Sequence, residues 1–334
     1  MTGDSGAMNG REGAPERPDI SPEFLVRKAW NIRWAGRDES IRLATEALSM
    51  VSGAAAVRTG TEGLAFRTLA WQAKWRGLFD DSEEFGAKAL ARLDPALHAA
   101  AIADVHSIMR VIHYSRGRRD MARESVRLGY AALCEREAAE TRVDLMTTEA
   151  TILRYGQRIE DSRKLLEAAL ELAEGTERSR VRHNMARALQ SAGQTAEALS
   201  LATNAVIDAR RFDNRVILPY ALEVLGTCYA AFGQHEAARG YLLEGEEIGR
   251  EDTDLRVRCQ ILQQLACIEE KAGKPEMALM GVRKGLGIDR KMVYPLWEKH
   301  FLRHQSDMAE ALGRKDKALE ALKRLCALQA AERE

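Results

Sequence analysis

One glycine recurs along most of this chain at nearly even spacing: Gly36, Gly77, Gly117, Gly156, Gly193, Gly233, Gly273 and Gly313, with intervals of 41, 40, 39, 37, 40, 40 and 40 residues. Few folds accommodate such a period, and those that do are built from stacked copies of one small unit. The residues after each glycine repeat as well: QTAEALSLATNAV after Gly193, QHEAARGYLLEGE after Gly233, KPEMALMGVRKGL after Gly273 and RKDKALEALKRLC after Gly313. A small residue stands five positions on (Ala198, Ala238, Ala278, Ala318), and seven further comes Ala205, Gly245, Gly285 or, as the exception, Leu325. Spacings of five and seven return to one face of a helix, and small side chains there let a neighbouring helix approach closely.

The stretch before each glycine is equally regular. Leu222, Leu225, Gly226 and Tyr229 precede Gly233, and Phe66, Leu69, Ala70 and Ala73 precede Gly77. Steps of three, one and three draw an apolar stripe along a helix. Each unit is therefore a helix, a turn ended by a glycine suited to left-handed backbone, and a second helix. Neither helix can bury its apolar face alone, so the units must stack. The expectation is an all-α chain: a right-handed α-solenoid of about eight helix–turn–helix repeats, with about sixteen helices and no sheet.

The motif Leu225-Gly226-x-x-Tyr229, followed by Gly233, Ala238 and Gly245, resembles the signature of the tetratricopeptide repeat. The usual repeat is about 34 residues. The longer period here resembles the long-helix variants of bacterial signalling and regulatory proteins. The resemblance spans about 20–330 and is strongest around Gly193, Gly233 and Gly273. It departs from the pattern in three places. The first unit has one residue fewer in its turn (Gly36 to Ser40) and the fourth one more (Gly156 to Ser162). The third sets His106, Arg110 and His113 where apolar residues belong.

Boundary residues fit this organisation. Ser21-Pro22-Glu23 reads as a helix start with a capping hydroxyl and a proline at the first position. Pro219 and Pro295 open the first helices of the sixth and eighth units, Asp94-Pro95 closes the second, and Ser52–Gly63 reads as a longer loop. Residues 1–20 carry glycine, proline and charge without an apolar core, and read as a disordered leader before a single domain over 21–334.

Fifty basic residues balance fifty acidic ones. A neutral chain lacks the field that draws proteins to phosphate backbones or anionic membranes, so neither nucleic acid nor membrane is expected as a partner. No apolar run is long enough to span a bilayer. The five cysteines (Cys134, Cys228, Cys259, Cys267, Cys326) are scattered and unpaired in pattern, which suits a reducing, cytoplasmic setting. No phosphate loop, nucleophile elbow or H-E-x-x-H motif occurs. His300 and His304 stand one turn apart without a third ligand or an intervening base, and Cys259 and Cys267 read as small core residues. No metal, cofactor or catalytic residue is expected. The cluster Arg116, Arg118, Arg119, Arg123, Arg127, with Asp120 and Glu124, reads either as a solvated face or as a dock for an acidic partner.

In the repeat that this chain resembles, the first helices line the concave surface, at positions thirteen, ten, six, three and two before the turn glycine. In the first unit these offsets select Trp30, Arg33 and Trp34, and in the second Arg67, Trp71, Lys74 and Trp75. In the fifth they select Arg180, His183, Arg187 and Gln190, and in the seventh Gln260, Gln263, Glu270 and Lys271. Tryptophan and arginine dominate binding hot spots, so Trp30, Trp34, Arg67, Trp71, Lys74, Trp75, Arg180, His183 and Arg187 are candidate groove residues. The alternative is that the rings pack between helices or cap the stack. The resemblance implies a non-catalytic scaffold for a protein or peptide segment. It also admits a sensory input module for a diguanylate-cyclase-type or other output domain. The final helix is a candidate dimer contact.

Overall fold

A computed structural model describes residues 21–51, 59–133, 139–251, 255–292 and 295–331. Among the described residues there are sixteen α-helices and no strand. They run as eight pairs: α1 Pro22–Asn31 with α2 Arg37–Met50, α3 Thr61–Arg76 with α4 Phe79–Leu90, and α5 Ala99–Ser115 with α6 Arg119–Ala132. Next come α7 Ala139–Tyr155 with α8 Ile159–Leu172, α9 Thr176–Ser191 with α10 Thr195–Arg211, and α11 Leu218–Ala231 with α12 His235–Glu251. The last pairs are α13 Leu255–Lys271 with α14 Pro275–Met292, and α15 Pro295–Ala311 with α16 Lys315–Ala331. Each helix packs on its pair partner and each pair on the next, giving an α-solenoid. The proposed leader, residues 1–20, lies outside the described residues.

The turn register follows the glycines with two instructive exceptions. Gly77, Gly117, Gly193, Gly233, Gly273 and Gly313 have φ between 68° and 80°, left-handed backbone that a Cβ would strain. The short first turn places Gly36 at φ −116°, where it precedes α2 directly. The long fourth turn moves the left-handed residue one place on, to Gln157 at φ 61°. Both departures from the repeat are thus absorbed within the turn. The Ser52–Gly63 loop is shorter than expected, because Thr61–Gly63 belongs to α3, and 52–58 lies outside the described residues.

The small-residue positions are where helices meet. Ala198, Ala238 and Ala278 are fully buried. A Cβ on Gly226 would stand 2.8 Å from Leu242 Cγ and 3.0 Å from the Ala238 carbonyl oxygen. Where the repeat carries serine at this position, the hydroxyl donates to a carbonyl of the first helix: Ser40 Oγ to Ala29 O at 2.8 Å, Ser82 to Ala70 and Ser162 to Ala150 at 2.7 Å. Cys228 and Cys259 are buried, as core residues. Ser21 caps α1 by accepting from the Phe24 amide at 3.2 Å. No described helix is long and apolar enough to cross a membrane.

Candidate functional site

The first helices of the units converge on the superhelix axis, and two regions of that axis differ sharply. Toward the N-terminal end it is filled. The Trp34 ring stands 4.7 Å from Trp71 and 6.0 Å from Trp75, and Trp75 stands 5.6 Å from Tyr220 of the sixth unit. The amide of Val216, from the same region as Tyr220, donates to the Trp34 carbonyl at 3.4 Å. The solenoid winds tightly enough that its first two units meet its sixth across the axis, and one apolar cluster joins Trp34, Trp71 and Trp75 to Val216, Ile217 and Tyr220.

Trp71 is 3% exposed and Trp75 8%, so they are not the open pair of rings that the offsets suggested. Both leave the stripe of their own helix, yet the surface they face is another part of the same chain. Trp34 lies in the turn after α1 and is buried too. Trp30 is half-buried under guanidinium groups, with Arg67 at 3.6 Å and Arg33 at 4.0 Å from its ring centre. Arg67 itself is buried and paired with Asp104 at 3.0 Å. Burial raises Asp104 above the usual carboxylate range.

Beyond this plug the axis opens into a cavity of about 1050 Å³. Its lining comes from α3, α5, α7, α9, α11, α13 and α15, the first helices of seven units, together with the starts of α4 and α6 and the turn residues before α6 and α11. Of the candidate residues, Lys74, Trp75, Arg180, His183 and Arg187 lie there, whereas Trp30, Trp34, Arg67 and Trp71 do not. Nine lysine and arginine side chains face it against one carboxylate, Asp80. Asp80 is paired with Arg116. In a chain of zero net charge this is a strong local excess. Aromatic rings alternate with the cations: Tyr114 stacks on Tyr155 at 5.5 Å, and Arg256 Nε donates to the Tyr220 hydroxyl at 2.9 Å. A second recess, about 350 Å³, continues along the axis between Arg187, Gln190, Glu223, Thr227, Cys267 and Lys271.

Most buried acids near the axis are matched to an arginine. Arg180 holds Glu177 and Asp144, both at 2.5 Å, and Arg187 holds Glu223 at 2.6 Å. Glu223 holds Arg187 above the ordinary guanidinium range. His183 is pushed well below the usual histidine range by burial, with Arg187 and Arg154 adding to it, so it is neutral near pH 7. His304 lies 2.9 Å from Glu270, off the cavity. The basic cluster of the third unit divides: Arg123 and Arg127 pair with Asp120 and Glu124 on the outside, while Arg116 and Arg119 face the cavity.

Arg110, Arg154, Arg256, Tyr114, Tyr155 and Tyr220 are cavity residues that the sequence reading did not single out. The signal for Arg110 was present as a charge on the apolar stripe, where it stood as a departure from the repeat. Arg154, Tyr114 and Tyr220 sit at the concave offsets of units to which those offsets were not applied.

The fold is that of the tetratricopeptide-like repeat proteins. Among solved structures it resembles a Rap protein complexed with competence and sporulation factor, at 14% identity over 94% of this chain and 99% of that one, with a TM-score of 0.65. It also resembles the human IFIT1 dimer with PPP-AAAA, at 12% identity over 92% and 73% of the two chains, TM-score 0.58. A third is a signal transduction ATPase with numerous domains from Pyrococcus horikoshii, which has a tetratricopeptide repeat sensor. Identity there is 12%, over 91% of this chain and 46% of that one, TM-score 0.56. No family model matches the sequence, and neither does any curated protein.

Proposed function

We propose that the chain is a non-catalytic scaffold that binds a polypeptide segment in its axial cavity, against Lys74, Trp75, Arg180, His183 and Arg187. The observation that carries this is the cavity itself, long, concave, ringed by cations and aromatic faces, and contributed by seven successive units. Concave surfaces with a few convergent polar groups are where repeat proteins take extended ligands. The Rap neighbour, solved with competence and sporulation factor, has the same fold over nearly its whole length. Guanidinium groups dominate the lining and stay protonated, so they suit recognition rather than proton transfer.

The sensory reading rests on the sensor region of the Pyrococcus horikoshii protein. A ligand in the cavity would serve that role equally, by changing how tightly the solenoid winds. None of the three neighbours described above is a diguanylate cyclase.

The test is capture of a partner by the full chain and by two variants. Val111 lines the cavity half-buried, so Val111→Trp fills it without entering the helix interfaces. Leu243 is exposed on α12, a second helix, so Leu243→Arg alters the outer surface. A polypeptide captured by the wild type should be lost with Val111→Trp and kept with Leu243→Arg. The reverse pattern would place binding on the outside.

A further inference from the structure

Among the described residues, the cavity holds two buried cations that make no ion pair. Arg110 is 3% exposed, its Nε has no hydrogen-bond partner, and among the described residues its guanidinium makes no ion pair. Lys74 is 2% exposed, and among the described residues its ammonium group makes no ion pair and stands over the faces of Trp75 at 4.7 Å and Trp71 at 5.5 Å. The acids that act on them are engaged elsewhere. Asp144 is held by Arg180 at 2.5 Å and accepts from Ser107, and Glu149 accepts from the Tyr130 hydroxyl at 2.8 Å. Leaving a buried cation without a partner is unfavourable, so folded chains normally pair it or replace it. The same solenoid pairs Arg67, Arg180 and Arg187, so the omission at Arg110 and Lys74 is local and lies where the axis is open. Burial pushes Arg110 down to about 10 and Lys74 to about 7, as expected of cations that lack an anion.

We infer that Arg110 and Lys74 form an anion subsite that seats a carboxylate of the bound segment, making this a scaffold for acidic peptides. The inference rests on the cavity being the binding site. A guanidinium offers paired donors that match a carboxylate, and the ammonium adds a compact charge beside it. Val111, Ile217 and Trp75 line the same cavity and favour a peptide in which apolar residues alternate with the acids, over an inorganic polyanion.

The probes are two labelled eight-residue peptides, alternating leucine with glutamate or leucine with glutamine, and inorganic tripolyphosphate as competitor, all against the full chain. The acidic peptide should bind at least about tenfold more tightly than its neutral counterpart, as one charge-assisted contact implies. Arg110→Gln and Lys74→Met should each remove most of that difference. Arg110→Met, without any peptide, should melt no lower than the wild type, whereas a structural arginine such as Arg67 should lower the melting temperature when replaced the same way. Equal affinity for the two peptides would overturn the anion subsite and leave the scaffold reading standing. So would binding of neither peptide up to about 1 mM, or tripolyphosphate as the one probe sensitive to Arg110. The scaffold reading would instead fall with partner capture that ignores Val111→Trp.

Discussion

The indole of Trp75, on the second unit, meets the phenol ring of Tyr220, on the sixth, edge to face with their centres 5.6 Å apart. A solenoid in which each unit touched only its neighbours would never bring these rings together. Around them Trp34 and Trp71 complete an aromatic plug. The plug closes one end of the axis and leaves the cationic cavity at the other.

Trp75→Ala should therefore act beyond its own unit. Loss of a buried aromatic side chain costs about 3–5 kcal/mol where the site cannot collapse. Here it also removes a contact between distant units. Urea denaturation should report that loss, and small-angle scattering should give a larger radius for the folded variant. A folded variant of unchanged stability and radius would mean that the winding is held elsewhere.

The helix contacts make a paired prediction about glycines. Gly226→Leu overpacks the junction with Leu242 and Ala238 and should cost about 1–3 kcal/mol or more. Gly240, in the middle of α12, has open space around its would-be Cβ, so Gly240→Ala should gain about 0.5–1 kcal/mol through helix propensity. Thermal melts of the two variants should move in opposite directions.

The repeat, its turn register and the concave positions were legible because they are local. Spacing along one helix decides which residues face the axis, and for Arg180, His183, Arg187 and Gln260 the offsets led to the cavity wall. What the offsets could not carry was what stands across the axis. Trp71 and Trp75 face inward, but their exposure depends on Tyr220 and Val216, some 140 residues away in sequence, and on the small rotation added at every unit. Arg110 illustrates the converse. Its charge broke the apolar pattern of α5, and a broken pattern of that kind marks a site more often than an error of register.

Lys74 gives the stability of the chain a definite pH dependence. Burial chiefly holds its folded pKa near 7, against about 10.5 for an ordinary lysine; Asp144 pulls it up, and Arg180, Arg256 and Arg110 push it down. Between those values the unfolded chain keeps the proton and the folded chain releases it. Stability then rises with pH, by up to about 1.4 kcal/mol per unit. The penalty is fully present below about pH 7 and is relieved as pH climbs toward about 10. Lys74→Met should thus exceed the wild type in urea midpoint most clearly near pH 6, with the advantage shrinking steadily from about pH 7 toward about pH 10. An advantage that stays constant would show that Lys74 is not the group responsible.

The central claim is that the ligand lies inside the superhelix, and site-directed photo-crosslinking tests it most directly. A photoreactive phenylalanine analogue would replace Val111 on the cavity wall in one chain. In another it would replace Ile207, which is exposed on α10. Irradiated in the native host, the Val111 probe should yield a crosslinked polypeptide that mass spectrometry identifies and that the Ile207 probe does not. Crosslinking from Ile207 alone would contradict the account.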